Sequence, residues 1–517
     1  MKNILILLIA LFLNSSCNFL LKDEKGQEYK TYDPTWESLS SHEIPEWLID
    51  AKFGIYAHWG VYSVPSFKTE WYAKRMYVPG NSVFEHHKET YGDQSEFGFK
   101  DFVPMFKAEN YDPDEWAEII KSSGAKYAGL ATVHHDGFCL WDSEYTRWNA
   151  MDMGPERDLY GELTQALRKK DMKVIATFHH IRTFDWYLPY NTDFYVENDT
   201  ILRNEFLEKD WDIFDPEFGD LYWNEAVGRK KEDFIVEWRN KVTEVMDKYQ
   251  PDLVWFDGGT FQDEKSEADV RSLLAYYLNK EKEWSKPLEV LNKFPMSMKF
   301  NFPESFGMQT YEEGRDRDAN LDNPWIDDMK ISDTAWCYIE GQTYKTANEI
   351  IDGLIDRVSR GGGLLLNLSP KADGTIPHAQ KKVLAEIGDW LDKNGEAIFD
   401  TRPWEVHAEG PTEKLRTPDQ HSRWIFKDNC DGNDIRFTKK GNILYVISLG
   451  WPENGVIRIS SLSDCNILTD NQIIKVSMPG FEEDVLWTED TDLFLFELPK
   501  KTNDFAFVVK IEFEKEL

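Results

Sequence analysis

The residues best suited to chemistry stand at the ends of short apolar runs. Asp257 closes Leu253-Val254-Trp255-Phe256 and is followed by Gly258-Gly259. A carboxylate there can attack an electrophilic carbon or take a proton, and the two glycines let a ligand approach the backbone closely. His134-His135 follow the apolar run 127–133, His179-His180 follow 173–178, and Asn367 lies near the end of 363–368. A neutral imidazole offers one donor and one acceptor, the pair that a hydroxyl group needs. Such histidines can also bind metal, but no acidic ligand stands beside them at metal spacing, so no metal is expected. Cys139, Cys337, Cys430 and Cys465 are widely spaced and form no CxxC pattern, which implies neither a disulfide framework nor a zinc site.

Positioning these residues requires a repeating scaffold. Amphipathic helices are expected at 112–123, 158–169, 234–249 and 347–359, each running into one of the apolar strands 127–133, 173–178, 253–256 and 363–368. This alternation predicts a parallel sheet covered by helices. A doubly wound sheet alternates in the same way; the collection of His, Asp and Asn at one end of several strands favours a (β/α)8-like TIM barrel, whose active site is that face. The stretch 377–399 reads as a further helix, with Val383, Ile387, Trp390 and Leu391 at helical spacing. After Trp404 the pattern changes to short alternating runs (442–449, 456–459, 492–498, 504–511) separated by Gly, Pro, Asn and Asp, the mark of a C-terminal antiparallel β-sandwich. Gly361-Gly362-Gly363 precedes a strand rather than joining strand to helix, so it is no phosphate cradle.

The 517 residues are ample for one large and one smaller domain, and the formal charge of −34 repels phosphate backbones, which excludes nucleic acid as a partner. Aromatic residues make up 14% of the chain, with 20 Trp, rings that stack on the apolar faces of sugars. Residues 1–16 combine Lys2, the apolar run 4–13 and small residues before Cys17, the pattern of a signal peptide too short to be a membrane-spanning helix. The ending Leu13-Asn14-Ser15-Ser16-Cys17 resembles a bacterial lipobox, so Cys17 is the expected lipidation site and 17–34 a polar tether. The catalytic domain is then 35–404 and the β-sandwich 405–517, on an exported lipoprotein of the periplasm or outer membrane whose only tie to a membrane is its lipid.

Long ordered blocks carry a more specific message: KFGIYAHWGVYSVPSF (52–67) with EWY (70–72), GAKYAGLATVHHDGFCLWDSEYTRWN (124–149), RDLYGEL (157–163), PDLVWFDGG (251–259) and VSRGGGLLLNLSPKADGTI (358–376). With GDWLDKNGEAIFDTRPW (388–404), they resemble glycoside hydrolase family 29, the α-L-fucosidases, from residue 35 onwards. The resemblance implies a barrel followed by a β-sandwich, and hydrolysis of terminal α-L-fucosyl residues on glycans with retention, through a covalent glycosyl-enzyme and without a cofactor. Asp257 matches the nucleophile. The acid/base lies in the segment YEEGRDRDANLDNPW (311–325), which puts Glu312 first and Glu313 as the alternate. His58, Glu70, Trp71, His134 and His135 match substrate contacts, and Trp255 is expected to supply apolar wall. The string Phe178-His179-His180-Ile181 departs from the Tyr-Tyr-Ser of many relatives, and His180 is the residue expected to reach the sugar there. Two other functions fit the same residues: an α-L-galactosidase, separated by whether the pocket around C5 is apolar, and an inactive glycan-binding lipoprotein, separated by turnover.

Overall fold

Eight short strands close into an all-parallel barrel in chain order: β1 (Phe53–Ala57), β2 (Tyr127–Val133), β3 (Lys173–Phe178), β4 (Leu253–Phe256), β5 (Glu289–Lys293), β6 (Met308–Glu312), β7 (Trp325–Lys330) and β8 (Gly362–Leu368). The computed structural model describes residues 29–517 except 191–199, 258–263, 294–301, 315–322, 413, 417–423, 427–429, 465–470, 483, 491–492 and 502–503. The strands are buried along nearly their whole length because one face meets the covering helices and the other fills the barrel.

The lumen is packed by Tyr56, Tyr127, Ile175, Leu253, Trp255, Leu291, Met308, Ile326 and Leu365, which form one buried cluster drawn from all eight strands. Gly54 must be glycine for this packing, since a Cβ there would come within 2.2 Å of the Tyr127 ring. Residues of opposite parity, such as Ile55, Leu130, Val174, Val254 and Leu366, belong to the larger cluster shared with the helices.

Helices Pro113–Ser122, Leu159–Arg168, Lys231–Tyr249, Glu264–Trp284 and Ala347–Ser359 provide the outer layer, and His378–Asn394 packs against the first of them. Their starts follow from local chemistry: Asp112 accepts from the amides of Asp114 and Glu115 and is followed by Pro113, and Thr346 with Glu349 forms a capping box. Among the described residues no helix separates β5 from β6 or β6 from β7.

The C-terminal region is a sandwich of two antiparallel sheets. The strands Ile473–Ser477, Phe507–Phe513, Ile443–Ser448, Ile435–Lys440 and Arg402–Glu409 form one, and Val456–Ile459, Leu493–Glu497 and Leu486–Asp490 the other. Phe437, Val446 and Val509 meet Ile457, Phe494 and Phe496 between the sheets. Tyr445, Ile447 and Val508 belong instead to the barrel's apolar cluster, and Arg436 Nε donates to Asp356 Oδ1 at 2.9 Å, so the sandwich is docked on the outer helices away from the strand ends that carry the chemistry.

Candidate active site

In a strand, side chains alternate between the two faces, so the parity that fills the lumen also selects which residues stand over it at the C-terminal rim. Tyr56 leads to His58, Leu253 and Trp255 to Asp257, Leu291 to Lys293, Met308 to Glu312, and Leu365 to Asn367. These are the side chains that meet. Lys293 Nζ lies 2.7 Å from Asp257 Oδ1 and 3.1 Å from Glu312 Oε2, and 5.0 Å from the centre of the Trp255 ring. His179 Nε2 lies 3.1 Å from Asp257 Oδ2. Burial alone would raise the Asp257 carboxyl, but Lys293 and His179 outweigh it and hold the group well below the usual carboxylate range. Burial alone would likewise lower Lys293, and the Asp257 and Glu312 carboxylates outweigh that, so the lysine remains an ammonium.

Imidazoles line one side. His58 sits beside His134 and His179, with ring centres 5.4 and 5.0 Å away, and His134 is 4.5 Å from His135. His58 Nδ1 donates to Asn367 Oδ1 at 2.8 Å, an orientation of the amide fixed by Asn367 Nδ2 donating to the Trp336 carbonyl at 2.7 Å. His135 Nδ1 donates to the His179 carbonyl at 2.6 Å. Both rings are thereby set with Nε2 as the lone-pair nitrogen. Burial pushes His58 down to about 3 and holds His134 and His135 well below the ordinary histidine range, so all three are neutral. Glu70 accepts from the Trp336 amide at 3.2 Å, and Trp71 packs edge-on to His135 with ring centres 5.3 Å apart.

Two expectations from the sequence are corrected by this geometry. His179, rather than His180, stands beside Asp257. His180 has the opposite parity and lies outside the lumen against Trp238 of helix Lys231–Tyr249, with ring centres 6.2 Å apart. Trp255 has no exposed surface, which places it beneath Lys293 as a floor rather than along the wall. Of the two glutamates, Glu312 enters the site. Glu313 turns into the left-handed region at φ +53°, and its carboxylate accepts from the Lys330 amide at 2.9 Å with Lys330 Nζ 3.0 Å away. The Gly258-Gly259 pair and Cys17 lie outside the described residues.

Four participants had no place in the sequence reading: His179 beside Asp257, Lys293, Asp328 and Trp336. Asp328 of β7 faces inward and accepts from Tyr56 Oη at 3.1 Å; burial first, then Glu312 and Asp257, raises it well above the carboxylate range despite Lys293, so it stands as a neutral acid on the floor. The parity that turns the first three into the lumen is visible only in the closed barrel. Trp336 reaches His58 from the segment after β7, and nothing in its local sequence marks it.

A rigid barrel holding an ionised carboxylate and a second carboxyl across a shared cation, with neutral imidazoles alongside, has what glycoside hydrolysis requires, and this protein is a glycoside hydrolase. Residues 19–396 match the family model described as alpha-L-fucosidase, and 427–512 match the alpha-L-fucosidase C-terminal domain. The human tissue alpha-L-fucosidase is 30% identical over 98% of this chain and 96% of its own, and the alpha-L-fucosidase of Branchiostoma floridae is 29% identical over 83% and 84%. The crystal structure of the Thermotoga maritima alpha-fucosidase in complex with fucose aligns with a TM-score of 0.69 at 29% identity, over 93% of this chain and all of that one. The chain belongs to the α-L-fucosidase family.

Proposed function

We propose that this protein is a retaining exo-α-L-fucosidase that removes terminal α-L-fucosyl residues from glycans, with Asp257 as nucleophile and Glu312 as acid and base. The observation that carries this reading is the shared lysine. One ammonium 2.7 Å from Asp257 and 3.1 Å from Glu312 keeps the facing carboxylate oxygens within roughly 6 Å. Retaining enzymes place their carboxyls about 5–5.5 Å apart, whereas inverting enzymes need about 6.5–9.5 Å to admit a water. The relatives named alpha-L-fucosidase, and the one crystallised with fucose, support the choice of sugar.

In the first step Asp257 bonds to the anomeric carbon as the C1–O bond breaks, and Glu312 passes its proton to the departing oxygen. Negative charge thus leaves Asp257 and arises on Glu312 while Lys293 contacts both, so the charge moves without the cation having to follow it. In the second step Glu312 takes a proton from water, which attacks C1 and releases Asp257. His58 and His135 present lone pairs to sugar hydroxyls, and Glu70 and Trp71 complete that side.

Proton NMR of the first product from an aryl α-L-fucoside tests the reading. The α-anomer of L-fucose is expected before mutarotation, and the aryl L-galactoside is expected to turn over more slowly. First appearance of the β-anomer would overturn retention, preference for the L-galactoside would move the sugar assignment, and absence of turnover on either would favour a glycan-binding role.

We also infer export and lipid anchoring from the Asn14-Ser15-Ser16-Cys17 ending, in a segment outside the described residues. A diacylated cysteine carries two chains, enough for stable attachment where one chain binds only marginally. Cys17→Ala is expected to shift the protein from the membrane to the soluble fraction of expressing cells. A wild-type protein that fractionates as wholly soluble rejects the anchor.

A further inference from the structure

The same pocket holds the makings of a metal site. Ligand-capable atoms of His58, His134 and His179 all lie within 4.8 Å of one another, and the three rings are buried. We propose that these imidazoles bind a zinc-class divalent cation which occupies the pocket in place of the sugar and inhibits the enzyme competitively. His58 is prepared for this role by Asn367: with Nδ1 donating to the carboxamide, Nε2 carries the lone pair, the arrangement by which an outer partner fixes a ligating histidine. His134 Nδ1 and His179 Nδ1 are buried and have no hydrogen-bond partner among the described residues. His179 also has Asp257 behind it, with Nε2 3.1 Å from a carboxylate oxygen, the histidine–carboxylate pairing that raises ligand basicity.

The chemistry of the donor set selects the ion. Three imidazoles with an open fourth position suit zinc, cobalt, nickel or copper rather than magnesium or calcium, which prefer oxygen ligands. Zn–N bonds of about 2.0–2.1 Å put tetrahedral ligands a little over 3 Å apart, so the rings close in by side-chain rotation within the spacing observed. Sugar hydroxyls and a metal compete for the lone pair of His58 and for the space beside it. The blocking half of the proposal rests on the reading of this pocket as the sugar site; the binding half does not.

The test uses the full chain purified without a histidine tag. Co2+ titration followed by visible absorption, and Zn2+ titration by calorimetry, are expected to show one tight equivalent with the ligand-field bands of a low-coordinate nitrogen site. His58→Gln and His134→Gln, each checked for folding by thermal denaturation, are expected to weaken Zn2+ at least about tenfold, and Asn367→Leu about 10–100-fold. In the unmodified enzyme Zn2+ is expected to raise the apparent KM on an aryl fucoside and leave kcat unchanged. Saturating L-fucose is expected to abolish the cobalt bands. Absence of saturable binding up to about millimolar metal, or unchanged affinity in both folded histidine variants, overturns the site. Metal held by these histidines but untouched by L-fucose supports the metal site and counts against the sugar pocket.

Discussion

Asp257→Asn is expected to lower kcat on an aryl α-L-fucoside by at least about three orders of magnitude while KM changes little. Asparagine preserves the shape of the side chain but cannot form the ester with C1. The variant is expected to stay folded, because the asparagine amide oxygen can still accept from Lys293, which also keeps Glu312 at 3.1 Å. The acidity of Asp257 adds a pH expectation. Its folded value is depressed, so the carboxylate contributes stability above the ordinary carboxylate range and loses it only as pH falls through the lowered value. The wild-type enzyme should accordingly lose more stability than Asp257→Asn on acidification below that range. Purified variant that retained more than about a tenth of the wild-type rate would reject Asp257 as nucleophile.

Glu312→Ala is expected to slow release of a natural sugar leaving group by about 10²–10⁴-fold, and that of an activated phenol far less, because a good leaving group needs little protonation. The glycosyl-enzyme then accumulates, since the base that deprotonates water is gone. Azide needs no base and should restore turnover of the activated fucoside, giving a fucosyl azide. Glu313→Ala should behave differently in kind. It strands Lys330, whose ammonium sits 3.0 Å from the Glu313 carboxylate in a nearly closed pocket, and breaking such a pair costs about 3–5 kcal/mol. A lowered Tm without azide rescue is therefore the expected signature. Rescue of Glu313→Ala alone would exchange the two assignments, and rescue of neither would send the acid to another loop.

The scaffold was largely legible in the chain. The helical period of 347–359 and the apolar runs ending at Val133, Phe178, Phe256 and Leu368 are local features, and local propensity with burial decides them. So was the position of Asp257, since a lone carboxylate after an apolar strand has one site to serve. The alternating runs after Trp404 announced the sandwich for the same reason.

Which member of a pair faces the lumen was decided only by the closed barrel. In a parallel barrel both faces of a strand are apolar, so Val174-Ile175-Ala176-Thr177-Phe178 does not reveal that Ile175 and Thr177 point inward. Without that parity His179 and His180 are equivalent in sequence; with it, His179 meets Asp257 and His180 meets Trp238. Lys293 was invisible for another reason: its meaning comes from carboxylates 36 and 19 positions away along the chain, at Asp257 and Glu312, which only the ordering of β4, β5 and β6 around the barrel brings onto one ammonium. Sequence alone determined that a carboxylate and histidines would gather at the strand ends, because periodicity and burial are written locally. The charge balance among them was left to tertiary structure, because electrostatic partners are chosen by distance in space.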